Sequence, residues 1–120
     1  MMKLALAAAA ILVATPALAD DWDFILINST GKEIKNVELA PAGTTTWQPN
    51  KIDPEFKREG VAKVGARMTV HFDKGPGCKY DVKLNFGDNS NATLSAVNVC
   101  DNSFVTAKLN AAGVASFSAN

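Results

Sequence analysis

CKYDVKLNFGDNSNATLSAVNVC, running from Cys78 to Cys100, is the segment on which the fold turns. Its first half alternates without a break. Tyr80, Val82, Leu84 and Phe86 share one face, and Lys79, Asp81, Lys83 and Asn85 share the other. A period of two with a wholly apolar face is the pattern of a half-buried β-strand. Asp88-Asn89-Ser90 then supplies turn chemistry, and a second strand is expected from about Ala92 to Cys100. If the hairpin is centred on Asn89, Leu84 faces Leu94, Val82 faces Ala96, Tyr80 faces Asn98 and Cys78 faces Cys100. That register sets both sulfur atoms on one side of the pair, as a disulfide requires.

Further strands are expected on either side of this hairpin. Met68, Val70 and Phe72 alternate with Arg67, Thr69 and His71, and Asp73-Lys74-Gly75-Pro76-Gly77 reads as a turn. Downstream, Asp101-Asn102-Ser103 is another turn, and Phe104 to Leu109 a last strand. The run from Ala66 to Leu109 is therefore expected to form a four-stranded antiparallel meander. Two earlier strands would cover or extend it. Asp23 to Asn28 is apolar on both faces, which suits a central position. Asn28-Ser29-Thr30-Gly31 turns the chain, with Asn28 capping the turn through its side chain. Glu33 to Leu39 returns, with a bulge near its start.

The reading is an all-β domain, a small antiparallel β-sandwich or partly closed barrel with one disulfide. Residues 40–65 interrupt it with Pro41, Gly43, Pro49 and Pro54. A short helix is expected over Asp53 to Glu59, with Asp53 as N-cap and Pro54 at its first position. Trp47 and Phe56 are the anchors expected in this connection. The stretch 111–120, rich in Ala, Ser and Gly, is expected to be mostly a flexible tail in which Val114 and Phe117 could add an edge segment.

The first nineteen residues read as an export signal. Lys3 is the basic segment, Leu4 to Val13 the apolar one, and Ala17-Leu18-Ala19 the small-residue cleavage site, followed by Asp20. Cleavage after Ala19 leaves one domain, 20–110, plus the tail, about 101 residues in all, enough for a single modest core. The whole chain carries 12 basic and 12 acidic side chains. Loss of Lys3 with the leader leaves a net charge of about −1 and no basic stripe, which argues against nucleic-acid binding. No second long apolar span follows the leader, so no transmembrane anchor is expected after processing. Two cysteines in an exported chain indicate one internal disulfide.

Several features beyond the core bear on kinship. Phe24-Ile25-Leu26-Ile27-Asn28-Ser29-Thr30-Gly31, Ile34-Lys35-Asn36-Val37, Trp47 after a threonine run, Cys78-Lys79-Tyr80-Asp81-Val82 and a strand ending in Cys100 together span roughly residues 22–109. In these the chain resembles a family of small exported bacterial proteins of uncharacterised role, some of whose members carry the label argininosuccinate lyase. The resemblance implies a periplasmic or secreted β domain. It supplies no catalytic residue. A chain this short lacks the large helical fold and extended active-site loop that the label would require. Gln48-Pro49-Asn50-Lys51 departs from the Gly-rich, acidic continuation usual in these relatives.

Candidate chemistry is sparse. His71 is the one histidine, and Asp73 and Asp81 are the carboxylates expected to approach it, which makes these three the metal-ligand candidates. Ser29, Ser90, Ser95 and Ser103 lack a distinctive nucleophile setting. Asp20, Asp21 and Asp23 lack the spacing of a calcium loop, and Lys74-Gly75-Pro76-Gly77 is not a phosphate-binding loop. No cofactor is expected. Trp22, Trp47 and Tyr80 are the ligand-binding candidates, an aromatic set at one end of the sheet. The leading expectation is a non-enzymatic exported binding or accessory protein, acting on an unidentified protein or small molecule through a loop surface or sheet edge. A small-ligand or metal-binding periplasmic module is the alternative, and a small hydrolase a second one.

Overall fold

The computed structural model describes residues 20–51 and 62–120. The helix expected over Asp53 to Glu59, Phe56 with it, and the leader lie outside the described residues. Among the described residues, eight strands follow in order: β1 (Asp20–Ser29), β2 (Ile34–Pro41), β3 (Gln48–Pro49), β4 (Arg67–Lys74), β5 (Lys79–Phe86), β6 (Asn91–Asn98), β7 (Phe104–Leu109) and β8 (Ala115–Ala119). They form two four-stranded sheets, β4-β1-β7-β8 and β3-β2-β5-β6. The all-β expectation holds, as two sheets packed face to face rather than a closed barrel.

The expected meander does not form. Of its four strands only β5 and β6 are neighbours; β4 and β7 belong to the opposite sheet. Alternation identifies a buried face but not what that face meets. The Gly75–Gly77 segment is an arch between sheets, so the apolar faces of β4 and β5 oppose one another across the core instead of lying side by side. Phe72 and Tyr80 meet there edge to face, with ring centroids 5.1 Å apart. The Tyr80 hydroxyl accepts a 2.8 Å hydrogen bond from the Gly75 N–H, which pins the arch to the strand it feeds.

β1 is central, as its apolar character on both faces suggested. It pairs antiparallel with β4, setting Trp22, Phe24 and Leu26 beside Phe72, Val70 and Met68. Its other edge pairs parallel with β7, so that Leu26 adjoins Val105 and Asn28 adjoins Ala107. The inner faces of β2, β5 and β6 complete the core with Ile34, Val37, Leu39, Val82, Leu84, Phe86, Leu94 and Val97, all fully buried or nearly so. The bulge expected near the start of β2 is present between Ile34 and Asn36.

At the end of β1, Asn28 is fully buried and ties three segments together. Its amide nitrogen donates to the carbonyls of Lys32 (2.7 Å), Ala62 (2.9 Å) and Lys63 (3.2 Å). Its amide oxygen accepts from the backbone N–H and the hydroxyl of Thr30. The turn-capping role read from the sequence is therefore real, and it extends to a segment more than thirty residues away.

Cys78 and Cys100 form the disulfide, with Cα atoms 5.3 Å apart. The register around it differs from expectation. Near the turn Leu84 faces Ala92 and Val82 faces Leu94; beyond a bulge, Tyr80 faces Val97 and Lys79 faces Asn98. The turn is a three-residue loop, Gly87 to Asn89, closed by Phe86 N–H to Ser90 O and Asn89 N–H to Phe86 O. Asn89 takes the left-handed conformation that such a loop requires at its last position (φ 69°). The bulge falls at Ala96, also left-handed (φ 54°), whose N–H is held by the Asp81 carboxylate at 2.9 Å. The extra residue moves Cys100 back into reach of Cys78.

The stretch 111–120 is not mainly a tail. Residues 115–119 form β8, paired antiparallel with β7, through a loop built like the β5–β6 turn. Gly113 is left-handed (φ 82°), and the Asn110 side chain accepts from the N–H groups of Ala112 and Val114. Phe117 and its neighbours Ala115 and Ala119 pack against the core.

Candidate functional site

The three aromatic candidates do not converge. Tyr80 is a core residue, 2% exposed, and its hydroxyl is committed to Gly75. Trp22 packs against the core edge. Its indole N–H donates to the Val99 carbonyl at 2.9 Å, and the Lys74 ammonium lies 5.2 Å from its ring centroid. Trp47 precedes β3 and is half-buried. It stacks under the Lys83 ammonium, 5.6 Å away, and Lys83 belongs to the outward face of β5. Trp22 therefore sits at the rim of the core and Trp47 on the outside of one sheet. A shallow depression of about 290 Å³ beside Trp22 is lined also by Asp21, Asp23, Val99, Cys100, Asn102 and Ser103. Its lining is polar, unlike the mostly apolar walls of small-molecule sites.

The metal candidates divide as well. His71 and Asp73 share the outer face of β4, whereas Asp81 is on the outer face of β5 in the other sheet. The Asp81 carboxylate already accepts the N–H groups of Ala96 and Gly43. Asp73 is engaged by the Lys51 ammonium at 2.9 Å, and His71 Nδ1 stands 3.8 Å from Asp23. Among the described residues no cluster of three or more His, Cys, Asp or Glu side chains could hold a metal ion. The hydrogen bond and charge of Asp73 push the Lys51 amine upward from its ordinary value.

Ser90 is the serine with the most developed surroundings. It receives a 3.0 Å hydrogen bond from the Lys32 ammonium and donates to Asp88, which Lys32 also pairs with at 2.9 Å. The Ser90 hydroxyl, foremost, and then Lys32 hold the Asp88 carboxyl far below the usual carboxylate range. A lysine that donates to the hydroxyl offers no lone pair to take its proton. This network closes the β5–β6 turn.

The sheet edges give a more informative picture. Each sheet has two, and an unpaired edge is a template for another strand unless it is blocked. β4 is blocked by the segment Gln48–Lys51, which in the sequence reads as part of an irregular connection and as a departure from the resembling family. The Gln48 side-chain amide accepts from Asp73 N–H and donates to Asp73 O, both at 2.9 Å. The Asn50 amide accepts from His71 N–H at 2.7 Å and donates to Thr69 O at 3.3 Å. Lys51 N–H adds a bond to His71 O at 2.8 Å. Two side-chain amides, spaced two apart on an extended chain, thus stand in for the backbone of a strand and close one seam of the sandwich. β3 itself is two residues long and contains Pro49. β6 is broken by the Ala96 bulge, beyond which its outward groups change phase.

β8 carries none of these devices. It has no bulge and no proline, and no residue from Asn110 to Asn120 is charged. Asn120 exchanges both backbone bonds with Phe104, and Asn110 donates to Val114. In an antiparallel ladder bonded pairs recur at every second residue. Ser116 and Ser118 therefore bond to β7, and the N–H and C=O groups of Ala115, Phe117 and Ala119 point to the open side. No other strand among the described residues is hydrogen-bonded to β8, although β6 of the facing sheet runs close against it.

No protein-family model matches this sequence, and no curated protein does either. Among solved structures, the chain is similar to a protein from Eubacterium rectale determined by NMR. The two share 16% identity and a TM-score of 0.54 over 82% of this chain and 87% of that one. At that identity the likeness concerns the two-sheet fold alone. No helix among the described residues is long and apolar enough to cross a membrane.

Proposed function

We propose that this chain is an exported, non-enzymatic binding or accessory domain that acts through an exposed sheet edge, and that the edge is β8. The observation that carries the reading is the contrast between edges. β3, β4 and β6 are each shortened, capped or kinked, and β8 alone among the described edge strands is straight, uncapped and without a charged side chain. Strand addition at such an edge takes its affinity from main-chain hydrogen bonds and its selectivity from alternate side chains. Export is supported by the leader pattern at residues 1–19 and by the Cys78–Cys100 disulfide, which persists in oxidising compartments. The scattered placement of His71, Asp73, Asp81 and the serines offers no nucleophile or base set in a recess.

Peptide display against the folded domain tests this reading. Enriched peptides should be extended and free of proline. They should protect the amides of Ala115, Phe117 and Ala119 from hydrogen exchange, and lose binding to a Ser116→Lys/Ser118→Lys variant. Peptides that instead protect the neighbourhood of Trp47, or bind the lysine variant unchanged, would refute the edge and favour the loop surface.

A further inference from the structure

The occupant of the β8 edge can be read from the strand itself. We infer that it is β8 of a second copy of this chain, the two strands pairing antiparallel about a two-fold axis at Phe117, so that two four-stranded sheets become one of eight. This rests on the edge reading above and names its partner.

Three observations on β8 carry it. The first is phase. The outward backbone groups are those of Ala115, Phe117 and Ala119, three residues of one parity centred on Phe117. In a two-fold antiparallel pair centred there, Phe117 meets Phe117 of the partner subunit and Ala115 meets Ala119 of the partner subunit. Every outward N–H then finds an outward C=O, six hydrogen bonds in all, with no group of that set left over. A register shifted by one residue would bring outward groups against groups already bonded to β7.

The second is side-chain complementarity. Ala115-Ser116-Phe117-Ser118-Ala119 reads the same in both directions. A two-fold pairing therefore opposes alanine to alanine and serine to serine. Phe117 points to the core side but is only half-buried at the open seam. The facing ring of Phe117 of the partner subunit would cover its exposed part, an aromatic cross-strand pair. On the outer face the serines would pair by hydroxyl, a favourable cross-strand contact.

The third is charge. A two-fold interface sets each residue against its own kind or its mirror position, so any charge on the strand meets a like charge. β8 and the loop that leads to it carry no charged side chain from Asn110 to Asn120. That suits a second copy better than a charged partner segment, which would find nothing to pair with there.

A five-residue edge buries much less surface than the interfaces of permanent dimers, so the association is of the weak, reversible class. The test uses the chain exported with its own leader and purified from the periplasm of a bacterial host. Sedimentation equilibrium from about 10 μM to about 1 mM should show a monomer–dimer equilibrium. Ser116→Lys/Ser118→Lys sets lysine against lysine on the outer face, where both serines are exposed. It should raise the dimer Kd at least tenfold, with an amide spectrum otherwise like the wild type's. Isotope-filtered contacts between labelled and unlabelled copies should link Ala115 to Ala119 of the partner subunit.

A wild-type chain that stays monomeric to the top of that range overturns the inference, as does a dimer that the two lysines leave unchanged. The edge reading has a separate fate. A monomer that still takes display peptides at Ala115, Phe117 and Ala119 retains the edge and loses the second copy. A monomer that takes no peptide there loses both.

Discussion

Replacing Asn28 by alanine should cost this domain about 3–4 kcal/mol, because the side chain is fully buried and its amide serves partners on three segments. The amide has two hydrogens, and these reach the Lys32 and Ala62 carbonyls at 2.7 and 2.9 Å, with the Lys63 carbonyl sharing at 3.2 Å. The oxygen adds the Thr30 N–H and hydroxyl. Four full bonds at roughly 1 kcal/mol each set the scale. Lys32 keeps some access to water, which trims it, whereas Thr30 is buried. Ala62 is fully buried, so its carbonyl would lose its side-chain donor in the dry interior and keep only the Ile34 N–H. For a domain of this size the loss corresponds to a fall of roughly 12–30 °C in melting temperature.

Asn28→Asp makes the argument sharper. Aspartate has nearly the same shape and keeps both acceptor roles, but its ionised form has no hydrogen for the three carbonyls. It should be at least as destabilising as alanine near neutral pH. Its carboxyl, buried against carbonyl oxygens, is pushed up from its ordinary value. The unfolded state therefore loses its proton first as pH rises, and the penalty shrinks as pH falls, when the protonated acid regains a donor. Urea unfolding followed by tryptophan fluorescence, disulfide intact, measures both effects. An alanine variant within about 1 kcal/mol of wild type, or an aspartate variant that gains nothing relative to wild type on acidification, would show that Asn28 does not hold these segments together.

Other consequences follow from the same geometry. The Cys78→Ser/Cys100→Ser variant should lose about 3 kcal/mol, the chain-entropy scale for a closed loop of this size, read as a lower urea midpoint. Gln48→Leu/Asn50→Leu removes the four side-chain bonds that cap β4 and should cost about 2–4 kcal/mol; hydrogen exchange at His71 and Asp73, whose N–H groups those amides bind, should rise by orders of magnitude. Asp88, with its folded carboxyl held below the ordinary value of 3.8, contributes stability that is present above that pH and is lost as pH falls toward the depressed value. Asp88→Asn should flatten the acid limb of the stability curve. Lys51 has the opposite sign: its amine is raised above the ordinary 10.5, so its contribution is present below that pH and fades as pH rises through the folded value. Lys51→Met should flatten the alkaline limb instead.

The strands were legible because each carries a wholly apolar inner face, as in Met68-Val70-Phe72 and Tyr80-Val82-Leu84-Phe86. Their arrangement was not. A short Gly- and Pro-containing link serves a hairpin and an arch equally well, and the difference depends on which apolar surface β4 finds to cover it. It finds β1 along its edge and β5 across the core. That outcome reflects the whole set of strands rather than residues 73–77. β8 was legible only in part, as the edge segment that Phe117 could add, for another reason. Alanine and serine dominate it, and only Phe117 carries appreciable apolar area. Its turn, Asn110 to Gly113, repeats the logic of the Phe86–Ser90 loop and was the one local signal that could have exposed it.

The disulfide shows how a correct pairing can rest on a register that is not there. The turn has the three residues that Asp88-Asn89-Ser90 suggests but sits one residue earlier, on Gly87 to Asn89, because Asn89 takes the left-handed last position of the loop. That alone would leave Cys78 and Cys100 out of line. The bulge at Ala96 then adds the compensating residue, and nothing in the composition marks it, since alanine seldom adopts a left-handed backbone. What holds Ala96 there is tertiary: the Asp81 carboxylate accepts its N–H from the adjacent strand, and the covalent link fixes the strand beyond. Asp81, a metal candidate by residue type, thus spends its two oxygens on Ala96 and Gly43 in setting the geometry of the sheet. The same physics explains the seam at β4, where Gln48 and Asn50 look like loop polarity in the sequence and act as strand backbone in the fold. Side-chain groups substitute for main chain at three places (Asn28, Gln48 with Asn50, and Asp81), and the Ala96 bulge kinks β6, which leaves β8 as the one described edge strand with neither a cap nor a kink.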